Sequence, residues 1–174
     1  MLDVAVSYNR FKFIGHEFLT WLWFMMEERR DELKLNDNYP IYLEIGNGLI
    51  VENMTNDAVE KITIKGDDAG LEEGIMALKK GAVVTEVNLI CKTDDFDCQF
   101  TVKGESLAFS ALKVPETVKV KKPEDLEGAA LERIFFYENV SELMASLFYR
   151  FLKLRLSQTW KTKTVKEIKT WMKR

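Results

Sequence analysis

The residues of this 174-residue chain that are best placed to do chemistry are basic and lie close to its carboxyl end. From Arg150 to Arg174 the sequence has nine lysines and arginines and one acid, Glu167, so this segment carries +8. The rest of the chain carries −11, although the sum is only −3 at pH 7. Such segregation is typical of three arrangements: a solvated helix face that balances an acidic body, a polyanion contact, or a docking site for an acidic partner.

Lysines recur at helical spacing in the last predicted helix, residues 162–173. Lys166, Lys169 and Lys173 would share one face, from which they could reach several phosphates of a duplex without contacting its bases. The apolar stripe of the same helix also suits an anionic membrane surface or a groove on a partner. On charge clustering alone, the predicted DNA contacts are Lys119, Lys121, Lys122, Lys161, Lys163, Lys166, Lys169, Lys173 and Arg174.

Residue types that usually carry catalysis are scarce in this sequence. His16 is the only histidine, and it lies at the start of a predicted helix outside any nucleophile motif. The favoured interpretation is a histidine without a catalytic role, either hydrogen-bonded within the fold or exposed to solvent. The acidic runs at residues 67–73 and 94–97 lack the spacing of a calcium loop and are explained by turns and helix caps. We therefore expect a protein that is not an enzyme and that has no metal site and no cofactor.

Two cysteines, Cys91 and Cys98, are too few for a disulfide framework or a zinc site. If residues 93–96 turn a hairpin, the two thiols lie opposite each other on the inward face that also holds Leu89 and Phe100. A buried pair of reduced thiols is favoured over a redox switch in a cytoplasmic protein.

The elements that must position these residues begin with a helix at residues 14–34. Its second half is apolar almost all round, with Leu19 and Trp23 on the side opposite Phe18 and Leu22. Such a helix must be buried on both sides, either between a sheet and another helix or under a partner subunit. We predict a homo-oligomer, most simply a dimer, with Trp21 and Trp23 as interface residues or with the helical region of residues 124–156 at the interface.

Alternating apolar residues and turn signals predict two groups of strands. The turn signal Gly46-Asn47-Gly48 predicts a hairpin in the first group, and Asp67 or Asp68 is expected to cap a helix at residues 69–80 between the groups. The predicted strands are residues 39–45, 49–53, 59–64, 83–92, 96–103 and 106–114.

An extended segment at residues 115–123 leads to a helical region, in which Asn139-Val140-Ser141 predicts one break. The sequence therefore predicts an α+β fold in which antiparallel sheets form two three-stranded meanders with helices, followed by a helical C-terminal third. We expect a single domain of residues 1–174, with sub-units at 1–66 and 67–122 and a helical segment at 123–174. A composition of 47% hydrophobic and 30% charged residues is normal for such a domain.

The amino-terminal sequence has no secretory signal, and the most apolar run, residues 18–26, is far shorter than the roughly 20 residues of a membrane span. These features predict a cytoplasmic protein that does not enter a membrane.

Several segments together resemble a known family. Residues 18–24 (FLTWLWF), 76–89 (MALKKGAVVTEVNL), 100–115 (FTVKGESLAFSALKVP) and 151–156 (FLKLRL) are similar to the C-terminal half of the bacterial recombination-associated protein RdgC and to its shorter relatives. The similarity extends over roughly residues 14–156 and lies in hydrophobic and glycine positions rather than in a catalytic motif.

The resemblance implies an α+β protein related to a ring-forming, non-enzymatic DNA binder. Such a protein coats duplex DNA without sequence preference and restrains RecA-promoted strand exchange, which implies a bacterial, nucleoid-associated location. A ring of this kind binds through lysines and arginines, so its affinity should fall steeply with salt. The alternative is a protein-interaction module that keeps the fold without binding DNA and docks its basic helix on an acidic partner or on its own acidic body.

Overall fold

The computed structural model describes residues 4–34, 41–55, 58–93, 96–115 and 120–173, with side chains except at residues 4–13, 54, 55, 58, 59, 68 and 69. A five-stranded sheet and the helices packed on it make up this part of the chain. The elements are α1 (Val4–Glu28), a 3-10 turn (Arg30–Glu32), β1 (Tyr42–Thr55), β2 (Ala58–Lys65), α2 (Asp68–Lys79), β3 (Val83–Lys92), β4 (Asp97–Lys103), β5 (Phe109–Lys113), α3 (Asp125–Leu156), a π-helical turn (Trp160–Thr164) and α4 (Val165–Trp171).

The strands form one sheet in the order β2-β1-β3-β4-β5, and every neighbouring pair is antiparallel. The α+β class and the helical C-terminal part are confirmed. The division into two three-stranded meanders is wrong, because β1 pairs with β2 on one side and with β3 on the other and so joins the two predicted groups. The predicted sub-units at 1–66 and 67–122 therefore contribute to the same sheet.

The predicted hairpin at Gly46-Asn47-Gly48 is also wrong, because these residues form a bulge within the single strand β1. The pairing with β3 jumps from Ile45–Leu89 to Leu49–Val87, so β1 holds two extra residues at this point. Gly48 has a φ of +145°, which an L side chain rarely adopts, and the backbone N–H of Asn47 donates to Asn88 Oδ1 at 2.9 Å. Glycine therefore lets the strand bend here without ending it.

Strand alternation decides which side chains face the helices. Along β4 the side chains of Cys98, Phe100 and Val102 are buried, whereas Asp97 and Lys103 are exposed, as the sequence predicted. Leu89 of β3 lies opposite Phe100 and is also buried. The buried apolar residues of the sheet, α1, α3 and the C-terminal helical turns form one connected cluster.

Helix α1 lies at the centre of this cluster. From Phe18 to Met26 all side chains except that of Thr20 are buried, which confirms that the second half of the helix is covered on both sides. Helix α1 ends at Glu28, whereas the sequence predicted that it would continue to residue 34. The chain then passes through the 3-10 turn to the buried Leu33.

Helix α3 runs without a break for 32 residues, so the break predicted at residues 139–141 is wrong. The side chain of Asn139 donates to the carbonyl of Phe135 at 2.7 Å, and the Ser141 hydroxyl donates to the carbonyl of Tyr137 at 2.8 Å. Polar groups that can cap a helix thus bond back to the preceding turn, which keeps the helix intact.

Candidate functional site

The C-terminal helical turns pack their apolar side against α1 and α3. The Trp171 ring of α4 lies 5.3 Å from that of Trp23 and 5.8 Å from that of Phe24, measured between ring centroids. Trp160 of the π-helical turn packs against Phe151 of α3 at 5.5 Å. The apolar stripe of this helix is therefore part of the core, and Trp171, which is 4% exposed, is not free to enter a membrane surface or a partner groove.

The predicted lysines lie on the other side of these turns. Lys166, Lys169 and Lys173 are exposed and, at 100° per residue, fall within an arc of roughly 60° on the side away from Ile168 and Trp171. Lys161 and Lys163 are exposed on the π-helical turn that precedes them. We call these five residues the lysine face, of which Lys166, Lys169 and Lys173 share the arc described above.

Few acids of the described chain neutralise the lysine face. Glu167 is the only acid that forms an ion pair with it there, through a contact of 4.0 Å to Lys163. The same carboxylate pairs much more closely with Arg29, at 2.6 Å, and so fastens α4 to the end of α1. Lys161, Lys166, Lys169 and Lys173 have no ion pair within the residues that the structure describes.

Two other basic residues of the C-terminal segment serve the fold instead. Arg155 donates to the Glu17 carboxylate at 2.6 Å and lies over the Trp160 ring, 5.4 Å from its centroid. The Arg150 guanidinium donates to the main-chain carbonyl of Glu32. The +8 charge counted from the sequence therefore overstates what this segment offers to a ligand.

The lysines predicted before α3 lie apart from the lysine face. Lys121 and Lys122 are exposed, and their backbone N–H groups donate to the Asp125 carboxylate at 2.8 and 2.9 Å, which lowers the pKa of Asp125. They lie at the start of α3, whereas the lysine face lies beyond its end, and a 32-residue helix is about 48 Å long. The structure therefore does not bring the two groups together. Lys119 and Arg174 lie outside the described residues.

Trp21 and Trp23, the predicted interface residues, are each 1% exposed within a single chain. Trp21 packs against Phe151 of α3 and Trp23 against Trp171 of α4. The helices that the sequence required on the second side of α1 are thus supplied by the same chain. Both rings are part of the core of one chain, and their role as interface residues stays a prediction.

The cysteine pairing predicted from the hairpin register is confirmed. Cys91 of β3 lies opposite Cys98 of β4, both are buried, and both are free thiols in the structure. A hydrogen bond to Cys98, together with burial, raises the pKa of Cys91 far above its ordinary value. His16 is buried within α1 and packs beside Gly104.

Sequence reasoning missed one surface. The sequence predicted a helical region here, but not that Leu131, Ile134 and Phe135 would each be more than half exposed on α3. The signal was present in the same segment, where apolar residues occur on more sides of the helix than a core requires.

The described residues contain neither a metal-binding cluster nor a membrane-spanning helix. No group of three or more His, Cys, Asp or Glu side chains among them is arranged to hold a metal ion. None of the helices in the described ranges has the length and apolar character needed to cross a bilayer.

No protein-family model matches this sequence, and no curated protein matches it at a significant level.

Proposed function

We propose that this protein binds duplex DNA without sequence preference through the lysine face and that it has no enzymatic activity. The observation that carries the proposal is the row formed by Lys166, Lys169 and Lys173, which is exposed and has no ion pair within the described chain. The resemblance to RdgC-like proteins, which implies a nucleoid or recombination role, supports the same function.

The geometry suits phosphates better than bases. Lys166 and Lys173 are seven residues apart, or about 10 Å along the helix axis, while one strand of DNA presents a charge every 3.4 Å or so along its axis. Flexible ammonium groups at this spacing can reach several phosphates as point charges, but they lack the fixed fork that pairs with base edges. Binding should therefore depend on salt and not on sequence.

The test is fluorescence anisotropy of a labelled duplex of random sequence, titrated with the full chain at several salt concentrations. With about four phosphate contacts, affinity should fall roughly 10²-fold between 50 and 200 mM salt. The triple variant Lys166→Glu, Lys169→Glu, Lys173→Glu should abolish binding at 50 mM salt, and a second duplex of unrelated sequence should bind the wild-type chain equally well.

A matched control makes the same charge change elsewhere. Lys61, Lys103 and Lys113 are exposed, and their partners across the strands, Glu52, Glu86 and Gln99, place them on the sheet face opposite α1. Replacing these three lysines by Glu should leave most of the affinity intact. If both triple variants lose binding, net charge and not the position of the lysines determines the affinity. If the wild-type chain does not bind at 50 mM salt, the proposal is refuted.

The rival function is docking of the lysine face on an acidic protein surface. It predicts no duplex binding at low salt, together with capture of an acidic polypeptide such as polyglutamate that the Lys166, Lys169, Lys173 variant loses. The same titrations, with polyglutamate in place of DNA, separate the two functions.

A further inference from the structure

Exposed apolar side chains concentrate on α3. Of the ten large hydrophobic residues that are exposed in the described chain, seven belong to this helix. Leu131 and Tyr149 are about 60% exposed and Leu156 is 85% exposed. Scattered apolar residues are normal on a protein surface, whereas a concentration on one element marks an interaction site.

Five of these seven residues share one side of the helix, whereas Leu126 and Tyr137 lie on the opposite side. At 100° per residue, Leu131, Ile134, Phe135, Tyr149 and Leu156 fall within an arc of roughly 100°, centred about 180° from the buried side chains. The buried side chains are Phe136, Val140, Leu143, Met144, Leu147 and Phe151. Helix α3 is therefore apolar on two opposite sides, of which the chain itself covers one. We call the uncovered side the outer α3 stripe.

The stripe has the spacing of a helix that pairs with another helix. Positions 131, 135, 138, 142, 145, 149, 152 and 156 alternate steps of four and three, which is the 3.5-residue repeat of a coiled-coil seam. Six of these eight positions are apolar, and the exceptions are Glu138 and Glu142. Ala145, in the middle of the stripe, is exposed and small, so a partner helix can approach closely there.

The distribution of charge along α3 favours a second copy of the same helix, in antiparallel orientation, as the partner. From Asp125 to Glu142 the helix has five acids and one base, whereas from Leu143 to Leu156 it has three bases and no acid. A second α3 helix in antiparallel orientation brings the exposed Glu138 level with the exposed Lys153 of the other copy, whereas a parallel helix places like charges side by side.

We propose that two copies of this chain pair through their outer α3 stripes, antiparallel, about a two-fold axis that passes near Ala145. A two-fold interface is self-complementary, because each acidic half meets the basic half of the other copy. The proposal is independent of DNA binding, since the lysine face lies on a different element.

Sedimentation equilibrium of the full chain without DNA tests the pairing. The wild-type chain should be a dimer at micromolar concentrations. The variant Leu131→Lys, Phe135→Lys should weaken association at least 10²-fold, because it removes two apolar side chains and places positive charge opposite the basic half of the other copy. The control Met76→Lys, Val120→Lys makes the same change at two apolar residues that are about half exposed outside α3, and it should remain dimeric. Circular dichroism and the urea midpoint verify that both variants fold.

Cross-linking tests the orientation. In an antiparallel pair centred near residue 145, Ala145→Cys should form a disulfide between copies when the two thiols are oxidised with diamide. Ala130→Cys, also on an exposed position, should not, because the two copies of residue 130 would be roughly 45 Å apart along the helix axes. A monomeric wild-type chain, a dimer unaffected by the α3 variant, or efficient cross-linking at residue 130 would each overturn the proposal.

Discussion

Gly15 and Gly104 allow α1 to touch the end of β4 through backbone atoms alone. A Cβ added at Gly15 would overlap the carbonyl oxygen of Gly104, and one added at Gly104 would lie 2.7 Å from the His16 ring. The Gly104 N–H donates to the carbonyl of Thr85 in β3 at 2.8 Å, so the Gly104 segment cannot move away without breaking this hydrogen bond. Close contact at this point holds the amino-terminal helix against the core.

The same substitution should have opposite effects at two helical glycines. Gly15→Ala should destabilise the protein by about 3 kcal/mol, because the added methyl group meets fixed backbone. Gly128→Ala, at an exposed position of α3, should stabilise it by about 1 kcal/mol, since alanine has the higher helix propensity. Urea unfolding of the two variants measures both changes. Stabilisation by Gly15→Ala would contradict the backbone contact.

The segment that leads into α3 is held by two hydrogen bonds that depend on the ionisation of Asp125. Its carboxylate accepts hydrogen bonds from the N–H groups of Lys121 and Lys122, and these bonds lower its pKa below the ordinary 3.8. Because the folded pKa lies below the unfolded one, the stabilisation from these two hydrogen bonds is complete above the ordinary pKa and is lost as pH falls through the lowered value.

Nuclear magnetic resonance can follow these two hydrogen bonds directly. The amide proton shifts of Lys121 and Lys122 should titrate together with a midpoint below pH 3.8, and Asp125→Asn should abolish the titration. A midpoint at or above 3.8 in the wild-type chain would mean that the carboxylate is not held by these two N–H groups.

The elements differ in how well their sequences predict them. Strands β3 and β4 and helix α2 follow from local signals, namely alternation and the Asp67 cap, whose carboxylate accepts from the Gly70 N–H at 2.8 Å. The Gly46–Gly48 segment was wrongly predicted as a hairpin turn because two nearby glycines are common both in β-bulges and in turns. Only the pairing with β3 distinguishes a bulge from a turn. Asn139 likewise suits a cap or a helix interior.

The candidate site was predictable in part for the same reason. Spacing alone places Lys166, Lys169 and Lys173 on one face, and the structure agrees. Spacing cannot show that Arg155 is held by Glu17, 138 residues earlier, or that α4 covers Trp23, because both depend on contacts between distant parts of the chain. Charge clustering therefore grouped residues, such as Lys121, that the fold keeps apart.

At the scale of the whole molecule, the basic segment is part of the core and not a detachable arm. The segment buries three side chains against α1 and α3, namely Trp160, Ile168 and Trp171. An ion pair between Arg29 and Glu167 links the same elements nearer the surface. A chain that ended before residue 158 would expose Trp23 and Phe151, so it would lose stability together with its lysines. Charge reversal is therefore a valid test of DNA binding, whereas truncation is not.

The contribution of this segment to stability can be measured with two single variants. Trp171→Ala should destabilise the protein by about 3–5 kcal/mol, because it removes a buried indole that packs on both Trp23 and Phe24. Lys173→Ala, two residues away on the exposed side, should change stability by less than about 0.5 kcal/mol. Urea unfolding monitored by tryptophan fluorescence and circular dichroism measures both. Equal stabilities of the Trp171→Ala variant and the wild-type chain would show that α4 does not pack on α1 in solution, and the lysine face would then be a flexible tail.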